Sequence, residues 1–273
     1  MSLLDKINNP EDLNYLDMQG LELLSEEIRE LIIDVVSKTG GHLGSNLGAV
    51  ELTLALHSEF DFLTDRLIFD VGHQCYTHKI LTGRKKGFSS LRKFGGISGF
   101  PKRSESPYDA FGVGHSSTSI SAVTGFALAR QQLKEKYHIV GVIGDGALTA
   151  GIALEGLNHL GSLKMPAIII LNDNEMSISE NVGGMSNYLN RIRTDPGYYR
   201  LKKDIKLILK SLPMLGSKVT NIIDKIKQTF KYLMVPGLLF EELGFTYMGP
   251  INGHDIKSLK ENLKAAKNLK HLF

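Results

Sequence analysis

Residues 144–174 read GDGALTAGIALEGLNHLGSLKMPAIIILNDN, and this stretch decides the fold. The run just before it, residues 138–143 (HIVGVI), is short, apolar and rich in β-branched residues. So is the run 167–171 (AIIIL) near its end, and each therefore reads as a buried strand. Between them, residues 147–160 carry apolar side chains at helical spacing, entered from a GDG loop. Strand, helix and strand in that order make the right-handed crossover of a parallel sheet. The expected class is α/β, with a central, mostly parallel sheet flanked by helices on both faces.

The flanking sequence extends the same alternation. Residues 25–38 (SEEIRELIIDVVSK) have a capping Ser25, early acids, and Ile28, Leu31, Ile32, Val35 and Val36 on one helical face; Gly40 and Gly41 then end the helix. Residues 47–60 read as a second helix and 67–71 as a short buried strand, with Val71-Gly72-His73 turning into another helix. Residues 116–133 form a long helix of small side chains. After the polar loop NDNEMSISENVGG (172–184), two basic amphipathic helices are expected over 200–232, a helix over 236–243, a strand over 245–248 and a helix over 255–269.

Composition bounds the function. With 42% hydrophobic and 22% charged residues the chain has enough apolar material for a core, which excludes disorder, collagen and coiled coil. No apolar run approaches the roughly 18 residues of a membrane helix, and the acidic start (Asp5, Glu11, Asp12) is unlike a signal peptide, so a soluble cytoplasmic protein is expected. The single cysteine, Cys75, forms no internal disulfide and supports no thiolate zinc framework. His73, Cys75 and His78 suggest a metal cluster by proximity, but ligands two and three positions apart on a short helix splay, and a second ligand group is missing. The Lys-rich stretch Lys202 to Lys231, without Arg and with few aromatics, reads as a solvated face; neither nucleic acid nor membrane is an expected partner.

Chemistry concentrates at the central crossover. Ligands of open parallel sheets sit beyond the carboxyl ends of the strands, where Gly144-Asp145-Gly146 and Asn172-Asp173-Asn174 fall. Strand ends lie roughly 5 Å apart if neighbouring and 10 Å with one strand between, so Asp145 and Asn174 can share a cation. A carboxylate and an amide oxygen suit octahedral Mg²⁺, which keeps positions for phosphate oxygens. The glycines let backbone approach a diphosphate, and the N–H groups of the helix starting at Ala147 face it. GDG alone reads rather as a tight turn with surface polar residues; its pairing with Asn174 across one crossover reverses that and favours the cation site.

The stretch 144–174 resembles the thiamine-diphosphate fingerprint, which opens with GDG and closes with Asn just under 30 residues later. Together with GHLGSNLGAVELTLALH (41–57), FDVGHQCYTHKILTG (69–83), VGHSSTSISAVTG (113–125), NDNEMSISENVGG (172–184) and VPGLLFEELGFTYMGPINGHD (235–255), it resembles the 1-deoxy-D-xylulose-5-phosphate synthase family more than transketolase or pyruvate dehydrogenase. That family joins a two-carbon unit from pyruvate to D-glyceraldehyde 3-phosphate with loss of CO₂, feeding isoprenoid, thiamine and pyridoxal synthesis. The resemblance implies Mg²⁺ ligation by Asp145, Asn174 and the carbonyl of Met176, with Gly146, Ala147 and Asn174 also meeting the diphosphate. It implies cofactor contacts for His73 and for Gly114, His115 and Ser116, and proton transfer at the substrate for His42. A histidine on a glycine-rich loop suits that role, because its pKa lies near working pH. Small differences from the family, Cys75 and Thr77, read as packing variation.

The same resemblance implies one thiamine-diphosphate domain over 1–273, with 185–235 a mobile basic helical connector near the active site. The family's pyrimidine-binding domain, which carries a glutamate that hydrogen-bonds the cofactor's aminopyrimidine, and its small C-terminal domain would follow Phe273. The chain is therefore expected to be the diphosphate-binding portion, either a piece of a longer synthase or one subunit of a split enzyme, and a homodimer when complete. A split transketolase-like subunit and a non-catalytic module that binds Mg²⁺ and a diphosphate are the alternatives.

Overall fold

The computed structural model describes residues 2–173, 183–194 and 237–269. The chain runs α1 (Leu3–Lys6), α2 (Met18–Thr39), α3 (Leu43–Leu47), α4 (Val50–Glu59), β1 (Arg66–Phe69), α5 (Tyr76–Lys79), α6 (Ser119–Leu133), β2 (Ile139–Gly144), α7 (Asp145–Leu148), α8 (Gly151–Leu163), β3 (Ile168–Asn172), α9 (Gly184–Thr194), α10 (Leu238–Glu242) and α11 (Ile256–Lys267). Among the described residues three strands pair in the order β1-β2-β3, all parallel. The register sets Leu67 opposite Val140, Val140 opposite Ile168, and Gly144 opposite Asn172.

Because strand side chains alternate, each strand feeds two cores. Leu67, Phe69, Val140, Val142 and Ile168 face a layer built from α2, α4 and α11, including Ile28, Leu54 and Leu263. Ile68, Ile139 and Ile143 face the opposite layer, where α6 and α8 supply Ile120, Val123, Ala127, Leu157 and Leu160. Burying each such side chain contributes about 1.5–3 kcal/mol, which is why the strands are almost uniformly apolar. Helix α4 is enclosed so completely that every residue from Val50 to His57 is buried. Helix α6 lies close on β2 because residue 141 is glycine: a Cβ there would stand 2.8 Å from Val123 Cγ2.

The α/β class and the parallel crossover are as expected, and several boundaries differ. Helix α2 starts at Met18, capped by Asp17, whose carboxylate takes the Gly20 N–H at 2.8 Å; Ser25 lies inside it, donating to the Glu22 carbonyl. The helix expected over 47–60 is α4, which starts at Val50; Leu47 ends the separate α3, and Gly48-Ala49 lie between them. Likewise the GDG segment is not a loop: Asp145 opens the four-residue α7, and a turn at Thr149-Ala150 separates it from α8. So short a helix carries little dipole, and any diphosphate contact there rests on individual N–H groups. No strand forms over 245–248, because its amides are used elsewhere: Phe245 N–H caps α10 at the Phe240 carbonyl, and Tyr247 N–H meets Glu241 Oε1 at 3.1 Å. The start of the expected basic connector is helix α9, with Leu189 and Ile192 buried, while 195–236 lie outside the described residues.

Candidate functional site

The glycines at 40 and 41 end α2 with φ of +74° and +149°, which turns the chain so that His42 caps α3. Its N–H donates to Tyr76 Oη at 3.4 Å. Asn46, fully buried, donates from Nδ2 to the carbonyls of both His42 (2.6 Å) and His73 (2.7 Å) and accepts the Tyr76 N–H at 2.8 Å. One amide thus staples two loops that sequence keeps apart. The His42 and His73 rings meet edge to face, centroids 5.3 Å apart, and Phe100 stands 6.1 Å from His42.

Arg92 Nη1 lies 3.3 Å from His42 Nδ1. A guanidinium only donates, so Nδ1 accepts and the proton of neutral His42 resides on Nε2. Burial, and then the charge of Arg92, lower the His42 pKa from its ordinary 6.5. Burial, and then His42, also lower that of His73, against the opposing pull of Asp70. His73 Nδ1 is buried without a hydrogen-bond partner.

Asp70 organises the next loop. It follows β1, is 1% exposed, and accepts the N–H groups of Ser117 (2.6 Å) and Ser119 (3.1 Å). Ser117, held at φ +72°, in turn donates its hydroxyl to the Ala147 carbonyl at 2.8 Å. Gly114, His115 and Ser116 are exposed beside it. The expected cofactor residues around 115 and 147 are therefore neighbours, joined through Ser117.

At the sheet's carboxyl end, the Gly144–Asn172 pairing makes β2 and β3 direct neighbours, so Asp145 and Asp173 each follow adjoining strand ends. Gly146 and Ala147 are half-buried there, in α7. Two of the expected metal ligands, Asn174 and Met176, lie outside the described residues. Among the described residues no group of three or more His, Cys, Asp or Glu is arranged to hold a metal ion. His78 bonds to His57 and Asp109, and Cys75 Sγ faces the Gly99 carbonyl at 3.8 Å.

Asn46, Asp70, Arg92 and Ser117 escaped the reading of the sequence. Asp70 had a signal, an acid ending a buried strand just before Gly72-His73; Asn46, Arg92 and Ser117 had none, since each acts on a partner far along the chain: His73, His42 and Ala147, 27, 50 and 30 positions away.

The three-layer α/β fold, with loops converging at the carboxyl ends of parallel strands, is the fold of solved transketolases. A transketolase variant from Pichia stipitis superposes with a TM-score of 0.65 at 18% identity, over 92% of this chain and 35% of its own. A transketolase from Campylobacter jejuni does so at 0.64 and 21%, over 94% and 37%. The family model described as 1-deoxy-D-xylulose-5-phosphate synthase matches residues 4–272, and the chain belongs to that family. The synthases of Carboxydothermus hydrogenoformans and Desulfitobacterium hafniense are each 58% identical to it, over 97% and 99% of this chain. The chain spans 43% of the length of both relatives.

Proposed function

We propose that this chain is the diphosphate-binding portion of a 1-deoxy-D-xylulose-5-phosphate synthase, a transketolase-type transferase that condenses pyruvate with D-glyceraldehyde 3-phosphate and releases CO₂. The observation that carries the reading is the Gly144–Asn172 register, which brings Asp145 beside the strand end from which Asn174 follows, in a chain of the synthase family. Thiamine diphosphate with Mg²⁺, when bound, supplies the carbon nucleophile and neutralises the diphosphate charge. The donor set fits such a group: a carboxylate at Asp145, exposed backbone at Gly114-His115-Ser116, and the unpartnered, buried Nδ1 of His73.

In this reading Asp145, Asn174 and the Met176 carbonyl hold the metal, while Gly146, Ala147 and Asn174 meet the diphosphate. His73, Gly114, His115 and Ser116 line the remaining contacts. His42, neutral near pH 7 and presenting its Nε2 proton, donates or recovers a proton at the substrate oxygen. The lowered pKa keeps it uncharged, so it moves a proton without adding a fixed charge. A pyrimidine-binding domain or subunit supplies the other face of the cofactor. A homodimer and a cytoplasmic location belong to the same reading, the latter supported by one buried, unpaired cysteine.

The test is calorimetry of the chain with thiamine diphosphate. Binding is expected only with Mg²⁺ or a similar ion, and Asp145→Ala is expected to abolish it; unchanged affinity in the variant removes the metal assignment. With a chain bearing the pyrimidine-binding half added, synthase activity is expected, and His42→Ala should remove most of it with cofactor binding nearly intact. Binding without activity favours the non-catalytic module.

A further inference from the structure

Behind the His42–His73 pair lies a layer of buried charge that the proposed chemistry does not use. Lys79, whose side chain is fully buried, meets Glu105 at 2.6 Å. Arg84 grips both oxygens of Asp109, at 2.6 and 2.9 Å, and His78 Nε2 reaches the same carboxylate at 2.9 Å. His57 Nε2 completes the row, 2.9 Å from His78 Nδ1. The tautomers follow from the end of the chain of bonds: ionised Asp109 accepts from His78 Nε2–H, leaving Nδ1 to accept from His57 Nε2–H.

Interior ion pairs seldom add net stability, because desolvating two charges offsets their attraction and apolar side chains of similar volume serve as well. A geometric role accounts for these. Each carboxylate also takes a backbone N–H from the opposite limb of the 98–109 loop: Glu105 from Ser98 at 2.8 Å, Asp109 from Lys102 at 2.7 Å. The loop is thereby folded on itself and pinned to α5 and to Arg84, just downstream of His73. Between the pinned amides sit Phe100, whose ring faces His42, and Pro101, which fills the space a side chain on Gly72 would need.

We propose that Glu105 and Asp109 are positioning residues, whose partly buried ion pairs with Lys79 and Arg84 hold the 98–109 loop as the wall that orients His42 and His73. Only the catalytic consequence of this rests on the function proposed above. The carboxylates touch neither histidine of the pair; they act through Phe100, Pro101 and the loop backbone.

Replacing the Lys79–Glu105 pair by apolar side chains separates positioning from stability. In the full chain carrying Lys79→Met and Glu105→Met, the urea midpoint is expected to stay near that of the wild type. Trypsin reads the loop itself, since Lys102 and Arg103 are exposed within it. Cleavage there is expected to be about tenfold faster, through more frequent local opening. The ¹³C-labelled imidazole resonances of His42 and His73, assigned with His42→Gln and His73→Gln, are expected to shift and broaden. Wild-type cleavage with wild-type histidine resonances would overturn the proposal. Should the double variant not fold, Glu105→Gln, which removes the charge at constant size, is read the same way: faster cleavage supports the clasp, and unchanged cleavage overturns it. Neither readout uses cofactor or turnover, so failure of the clasp and failure of the synthase reading remain distinguishable.

Discussion

The carboxylate of Asp70 accepts the backbone N–H of Ser117 at 2.6 Å, although 47 positions of chain separate them. The second oxygen takes the Ser119 N–H, so one buried acid holds both the turn and the entry to α6. Asp70→Asn would set an NH₂ group against one of these donors. A loss of about 2–3 kcal/mol is expected, the scale of a broken hydrogen bond to a charged group, and urea denaturation measures it. Ser117→Ala, which removes only the hydroxyl bond to Ala147, is expected to cost about 1 kcal/mol.

Stability is expected to fall in mild acid. Burial holds the His57 pKa well below its ordinary 6.5, with His78 and Arg84 adding to the effect; burial also lowers His78, against the opposing bond from Asp109. Lys79 faces the same site, and Phe62 and Phe69 pack against the two rings. The folded state thus binds fewer protons than the unfolded chain below pH 6.5, so this stability is complete above that pH and is lost as pH falls beneath it. Each histidine that stays neutral in the folded chain contributes at most about 1.4 kcal/mol per pH unit. Urea midpoints from pH 7.5 to 5 measure it, and His57→Gln should flatten the curve.

Cys75 is expected to be inert in the folded chain. Burial raises its thiol to about 12, overriding the opposing charge of Lys79. Thiolate is the reactive form, so alkylation at pH 8 should run about a thousandfold slower than in urea, followed by intact mass.

Gly161→Ala is expected to destabilise without touching the site. A methyl group there would overlap the Leu243 carbonyl oxygen, and Gly244 beyond it holds φ at +94°. The α8 backbone and the end of α10 meet with no room between them. Overpacking of this kind costs about 1–3 kcal/mol, read as a lower thermal midpoint with cofactor binding unchanged.

Sequence alone determined what depends on near neighbours along the chain. The apolar runs at 139–143 and 168–171, with a helical pattern between them, declare a parallel crossover because strand and helix periods are local properties. The same local pattern sets Asp145-Gly146 at the carboxyl end of β2, where they open α7 rather than a loop. Local cues mislead where two patterns compete: Ser25 followed by Glu26 and Glu27 resembles a helix start although Asp17 caps α2, and the Phe245 to Met248 run resembles a strand although its amides bond to Phe240 and Glu241. Tertiary structure decided which distant groups face one another. That β2 and β3 are adjacent, that Asn46 joins the loops of His42 and His73, that Asp70 seats Ser117, and that Asp109 binds Arg84 and His78 all follow from chain closure over tens of residues. A buried polar group finds its partner only when the surrounding core excludes water, and that exclusion is a property of the packed layers rather than of any segment within them.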